Sequence, residues 1–251
     1  LPPKNKITNL YPLTKFYISM LIILVAITLP TFNLKLAVFI FTVILAVVGG
    51  VGDTFATRVL KSVGILVPLI ILIQTFFYPG EDVLLAVGPF TATREGLEFA
   101  MRLSINLANI SGAIIWLFAT TTERDFVLAL EKQGMSPKAS YVVLSTLQMV
   151  PILKKQSEVI MDAQRARGVE TEGGIFTRAK VFVPTIVPLV LSSIAGTEER
   201  ELTLEARGFS LDRQKTFYYD INPEPVDRTI QMVVGVVAVI YLIGRVVFWL
   251  W

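Results

Sequence analysis

Val181-Phe182-Val183-Pro184-Thr185-Ile186-Val187-Pro188-Leu189-Val190-Leu191-Ser192-Ser193-Ile194-Ala195-Gly196-Thr197 is an uncharged run with two prolines inside it. Its reading decides the topology. As a membrane span, it would put the residues on its two sides in opposite compartments. As a helix lying along the interface or packed on the helix before it, it leaves both sides in the same compartment. The second reading is preferred. The run is short against the ~20 apolar residues that a span needs. Glu198-Glu199-Arg200-Glu201 then continues it directly as charged helix.

The chain on either side of this run ends in the same way. A helical stretch from Pro151 to Arg167 closes in Ala166-Arg167-Gly168, and one from about Thr185 to Arg207 closes in Ala206-Arg207-Gly208. Each ending has an ordinary explanation. Glycine just past a helix end takes the left-handed conformation without a Cβ clash. Arginine in the last turn complements the negative end of the helix dipole. The repetition points further. A small residue beside the cation lets another protein come close, and the guanidinium offers five fixed donors to carboxylates or carbonyls. Ala166, Arg167, Gly168, Ala206, Arg207 and Gly208 are therefore candidate docking residues. Arg165 and Glu205 stand next to them as supporting contacts.

Composition says where such tips would be held. Of 251 residues, 53% are hydrophobic and only 17% charged, with a mean hydropathy of +0.64. That points to an integral membrane protein rather than a soluble domain, and the helical runs below lead to the expectation of an all-α one, with about five transmembrane helices and a cytoplasmic or interfacial set of coupling helices. There is no cysteine and no histidine. Disulfides, thiolate chemistry and the commonest neutral-pH base and metal ligand are thereby excluded. A net charge of +3 gives no support to nucleic-acid binding.

About four spans precede the charged region. Lys4, Lys6 and Lys15 make a basic N-terminus, which reads as cytoplasmic. Apolar runs follow at Phe16–Leu29, Leu36–Gly52, Ser62–Gly80 (with Pro68 inside) and Leu103–Thr122. Asn106 and Asn109 in the last run are expected to face other helices, because lipid cannot satisfy them. Glu81–Glu95 reads as a mixed loop, with Lys35 and Arg94 as the cations of the outer loops. Thr121 or Thr122 caps a helix that runs through Lys132 and stops at Gly134; Ser136-Pro137 starts the next. Thr229–Trp251 is the final span. The expected organisation is a membrane domain over 1–122, a cytoplasmic coupling-helix domain over 123–228, and a C-terminal transmembrane helix over 229–251.

Familiar chemistry is missing. There is no G-x-x-x-x-G-K-[ST] phosphate loop, and no zinc or EF-hand spacing. Glu198, Glu199 and Glu201 spread around their helix as a solvated face. Ser192-Ser193 has no histidine to activate it. An enzyme is not expected, and no cofactor or metal site is expected in this chain. The spans are expected to lack a buried acid or base to relay protons, which argues against an autonomous proton-coupled carrier.

Gln164-Arg165-Ala166-Arg167-Gly168-Val169 and Leu204-Glu205-Ala206-Arg207-Gly208-Phe209 resemble the paired Ala-Arg-Gly signatures of the energy-coupling factor (ECF) transporter T components, the EcfT/CbiQ family. Tyr11-Pro12-Leu13-Thr14-Lys15 resembles the family's N-terminal Pro-x-x-Lys pattern, with Tyr11 where an acid or histidine often stands. Thr122-Glu123-Arg124-Asp125-Phe126 through Gly134 is similar to its first coupling helix, and Arg213 and Thr216 echo its later basic stretch. The resemblance implies a non-catalytic subunit of an ABC-type importer in a prokaryotic plasma membrane, with its N-terminus and coupling helices cytoplasmic. It implies two ABC ATPases, which hold the ATP and magnesium, docked on Arg167 and Arg207. It also implies a small membrane S component that captures a vitamin or transition-metal ion and is held by the apolar faces of 136–165 and 178–200. Two other readings stand beside it. A conventional ABC importer permease would lack the duplicated tip. An intramembrane enzyme would need catalytic groups at membrane depth, where Asn106, Asn109 and scattered hydroxyls stand.

Overall fold

The computed structural model describes residues 7–87, 90–169, 174–211, 219 and 221–250, with backbone alone for 85–87, 90–91, 175–183 and 246–250. Lys4, Lys6, Arg213, Thr216 and Trp251 lie outside the described residues. The chain forms two compact units, Leu1–Met135 with Ile221–Trp251, and Ser136–Asp220.

The first unit contains α1 (Pro12–Thr28), α2 (Phe32–Val48), α3 (Gly52–Val63), α4 (Leu66–Phe77), β1 (Val83–Val87), β2 (Phe90–Thr93), α5 (Arg94–Thr120) and α6 (Glu123–Lys132). The chain returns to this unit at its end through a final helix, Pro225–Leu250. Three helical stretches are long and apolar enough to cross a membrane: Gly52–Phe77, Arg94–Thr120 and Pro225–Arg245. α1 and α2 are shorter apolar helices. Together they make the all-α membrane fold that the composition implies. The third apolar run is broken at Gly64-Ile65 into α3 and α4. Pro68 falls in the first turn of α4, where its missing N–H has no helical acceptor to disappoint.

α5 is the axis of this unit and packs against α1, α2, α3 and α4. Its buried positions include Gly96, Ala100, Ser104, Gly112 and Ala113, a face of small side chains at helical spacing that lets neighbours approach. Gly96 shows how closely: a Cβ there would lie 2.6 Å from the Gln74 carbonyl oxygen of α4. Further along, Trp116 is fully buried in a core with Ala46, Val51 and Phe55. Asn109 is also fully buried, and its amide donates to the Lys35 carbonyl at 3.0 Å and the Ile105 carbonyl at 2.9 Å. The asparagines thus face a neighbouring helix, as expected.

Two expectations are corrected. Lys35 is not in a loop. It lies in the first turn of α2, is 5% exposed, and its ammonium donates to Asn106 Oδ1 at 2.7 Å. A long flexible stem lets this charge reach a polar group on α5 that has no other use in lipid. Residues 81–95 are not a loop throughout. They contain the antiparallel pair β1–β2, with Val83 opposite Thr93 and Val87 opposite Phe90, and a bulge between Val83 and Leu85. A stretch too short to span is long enough for a strand, and its valines and threonines favour one.

The second unit is a helical hairpin, α7 (Pro137–Ala166) and α8 (Ile175–Ala206). Ser136 caps α7 by accepting from the Ala139 N–H at 3.2 Å, with Pro137 in the first turn. The side-chain ties fix an antiparallel arrangement. Gln164 bonds Pro184, Gln156 bonds Ser192, and the Tyr141 ring meets that of Phe209. As the position on α7 falls, its partner on α8 rises. Val181–Thr197 is therefore part of one continuous helix that packs on the preceding helix. The last helix of the chain, Pro225–Leu250, is α9.

Candidate functional site

Each arginine tip is a helix end closed by the same pair of backbone hydrogen bonds. At the first, the Gly168 N–H donates to the Arg165 carbonyl at 2.9 Å and the Val169 N–H to the Gln164 carbonyl at 3.1 Å. At the second, Gly208 donates to Glu205 at 2.9 Å and Phe209 to Leu204 at 3.0 Å. This pair of bonds is the Schellman motif, and it needs a left-handed residue after the cap. Gly168 has φ 83° and Gly208 φ 72°. The arginines themselves are the C-caps, with φ −86°, ψ 5° at Arg167 and φ −87°, ψ 3° at Arg207. The two backbones are superimposable copies.

The same motif closes α2 at Gly50 and α6 at Gly134, where the caps are Gly49 and Gln133. Backbone geometry alone is thus a stop signal. What sets the arginine tips apart is what they display. Arg167 and Arg207 are exposed, as are Ala166, Ala206 and Glu205. Among the described residues neither guanidinium has a hydrogen-bond or ion-pair partner. Arg165, by contrast, is held to Asp162 at 3.3 Å one turn back. It is already engaged along its own helix.

The hairpin separates the tips. Phe209, just past the second tip, packs in a tilted arrangement on Tyr141 near the start of α7, with ring centroids 5.1 Å apart. From Tyr141 to Arg167 the helix advances roughly 40 Å at ~1.5 Å per residue. The two guanidiniums therefore stand at opposite ends of one rod. A groove of about 400 Å³ on the hairpin is lined by Leu153, Leu189, Val190 and Ile194, with Glu198 at its edge. Val142, Val150, Val159, Val187 and Leu191 are exposed elsewhere on the same two helices.

A second polar constellation in the first unit was not expected from the sequence. Asp227 of α9 is 3% exposed; one carboxylate oxygen accepts from the Tyr11 N–H at 2.9 Å and the other from the Glu224 N–H at 3.0 Å. Lys15 is 2% exposed and donates to the carbonyls of Thr8 at 2.7 Å and Thr120 at 2.8 Å. The Tyr11 hydroxyl donates to the Ala129 carbonyl of α6 at 3.2 Å. Burial, reinforced by Asp227, pushes this phenol above its ordinary range. The Pro-x-x-Lys segment is thus the joint of α1 with α5, α6 and α9. Its lysine was a visible signal; its partners on α5, α6 and α9, more than a hundred residues away, were not. α6 caps as expected, with Thr122 Oγ1 accepting from the Asp125 N–H at 3.2 Å, and it packs within the first unit.

No group of three or more carboxylate, histidine or cysteine residues that could hold a metal occurs among the described residues. The fold and tips define a membrane-embedded helical protein with a two-ended helical hairpin. The comparisons with known proteins narrow the class. Residues 4–218 match the family model CbiQ, described as cobalt transport protein. The chain is 28% identical over 194 residues to the energy-coupling factor transporter transmembrane protein EcfT of Leuconostoc gelidum subsp. gasicomitatum, covering 73% of this chain and 72% of that one. It is 27% identical over 222 residues to the protein of the same name from Heliobacterium modesticaldum, covering 82% and 80%. With that of Thermosediminibacter oceani it shares 22% identity over 257 residues, covering 99% and 97%. The chain belongs to the CbiQ family.

Proposed function

We propose that the chain is the transmembrane coupling subunit, or T component, of an ECF-type importer. Arg167 and Arg207, each beside a small alanine and a left-handed glycine, dock one ABC ATPase apiece. The hairpin of α7 and α8 passes ATP-driven displacement to an S component seated on its apolar faces, which carries a vitamin or transition-metal ion. The chain itself performs no catalysis; ATP and magnesium belong to the ATPases. The N-terminus and the hairpin lie in the cytoplasm of a prokaryotic cell, and the apolar helices lie in its plasma membrane.

One observation carries this reading: two helix ends of the same backbone form display exposed guanidiniums at opposite ends of a single rod. A rod with one gripping point at each end suits two related, separate partners. A plain pair of helix stops would have no need of arginine at both caps, as Gln133 and Gly49 show. The relatives named EcfT and the transport description of the family support the same reading.

The test is detergent co-purification with candidate ABC ATPases, comparing the wild type with the Arg167→Glu/Arg207→Glu double variant. Stoichiometric ATPases in the wild type and none in the variant are expected, with membrane insertion unchanged. ATPases retained by the double variant would sink the docking role.

A further inference from the structure

α8 carries two prolines four residues apart, Pro184 and Pro188. The spacing matters. In an α-helix the carbonyl of one residue accepts from the N–H four positions later. The donor owed to the Pro184 carbonyl would come from residue 188, and proline has no N–H to give. That carbonyl is left with no helical partner inside a helix that packs on α7. The structure fills the vacancy from the other helix: Gln164 Nε2 donates to the Pro184 carbonyl oxygen at 3.2 Å.

Gln164 is no bystander to the first arginine tip. Its own carbonyl receives the Val169 N–H, the longer-range bond of the Schellman motif that closes on Arg167. One residue therefore holds the tip through its backbone and holds α8 through its side chain. At the second tip the corresponding position is Leu204, which has no polar group to offer; there Phe209 on Tyr141 makes the tie instead. Gln156 and Ser192 add a further polar bond along the same seam.

We infer that Gln164 is a positioning residue for Arg167: it locks the first tip to α8 through the carbonyl that Pro188 leaves open. The proline pair creates an acceptor on the flank of α8, and the glutamine converts it into a joint. The inference deepens the docking function proposed above and rests on it only for its consequence, not for the joint itself.

The joint makes a prediction that a mere helix-packing role does not. Replacing Pro188 by alanine returns the N–H, gives the Pro184 carbonyl its helical donor, and should make Gln164 dispensable. The chain has no cysteine, so spin labels can be placed at will. Labels at Ala163→Cys and Glu201→Cys in the full chain report the position of the first tip along α8. Gln164→Met keeps length and helix propensity and removes the donor. It should broaden the distance distribution, and weaken ATPase binding about five-fold, the scale of one net hydrogen bond. In a Pro188→Ala background the same Gln164→Met change should alter neither quantity.

A distribution as narrow as the wild type in Gln164→Met would overturn the joint. So would broadening of the same size in the Pro188→Ala background. Broadening with unchanged ATPase affinity would overturn the positioning role. ATPase binding that also survives Arg167→Glu/Arg207→Glu would instead show that the docking reading itself had failed, whatever the labels report.

Discussion

A C-cap arginine stands beside the last carbonyls of its helix, where the dipole is negative and a cation is favoured by ~0.3–1 kcal/mol. At Arg167 and Arg207 the Schellman bonds take two of those carbonyls at each end, and the arginine is exposed. The glycine next to each makes this possible. Alanine at a left-handed position costs ~1–2 kcal/mol, so Gly168→Ala should fray the last turn of α7. The Val169 amide, donor of the closing bond, should then exchange with solvent about 5- to 30-fold faster. Unchanged exchange would mean the glycine is not what holds the tip. Gly208→Ala should cost somewhat more, because its Cβ would stand 3.1 Å from Leu211 Cδ1, whereas at Gly168 nothing lies within 4 Å. These tips were legible in the sequence because positive φ is a local demand that glycine answers almost alone. Gln164, two residues before Ala166 in meaning as well as in space, was not. Its role depends on the register of a second helix, and no local pattern specifies that.

Elements are positioned by how closely their backbones can approach. α4 lies against α5 at Gly96, where a Cβ would meet the Gln74 carbonyl at 2.6 Å. A backbone atom cannot swing aside as a side chain can. Gly96→Val should therefore push α4 off α5 and destabilise the first unit by ~1–3 kcal/mol, the usual scale of overpacking. Thermal unfolding of the full chain in detergent reads the loss; a wild-type midpoint would refute the close approach. In the hairpin, the corresponding element-scale joint is Tyr141 on Phe209. A double-mutant cycle of Tyr141→Ala and Phe209→Ala should show a coupling of ~0.5–1.5 kcal/mol. Additive effects would mean the rings only happen to be near. Helix existence and type could be read from the sequence because apolar runs and caps are local: Thr122, Ser136 and the glycines marked true ends. The hairpin of strands at 83–93 was hidden because a short apolar stretch has no period long enough to separate strand from loop. Lys35 was misplaced because a cation at the edge of an apolar run looks like loop until its acceptor, Asn106, is known.

At the scale of the molecule, the first unit is assembled from two distant parts of the chain, Leu1–Met135 and Ile221–Trp251, and must bring the second back to the first. Apolar contact between α1 and α9 supplies attraction but little direction, since lipid offers the same surface. Hydrogen bonds supply the direction: Gln231 donates to Thr14 Oγ1 at 2.9 Å, the hydroxyls of Thr28 and Tyr241 bond at 2.7 Å, and Asp227 joins the two chain segments at their starts. One of its oxygens takes the N–H of Tyr11 at the start of α1, and the other takes the N–H of Glu224 ahead of α9. A buried carboxylate can do both because each of its oxygens only accepts. Asparagine, nearly identical in shape, cannot. Its amide nitrogen is a donor and would point at one of the two N–H groups, leaving that N–H and the amide facing it without an acceptor. Hydrogen bonds to a charged group are worth ~1.5–3 kcal/mol each, so Asp227→Asn should lower the stability of the whole first unit by about that much. Faster amide exchange should follow at both Tyr11 and Glu224, although they are far apart in the chain. Val226→Ala, at an exposed neighbouring position, is the matched control and should change little. If Asp227→Asn unfolds like the control, α9 is held by apolar contact and by the Gln231–Thr14 and Tyr241–Thr28 hydrogen bonds instead. Exchange that rises only at Glu224 would reduce the carboxylate to a local cap of α9, and α1 would need another anchor.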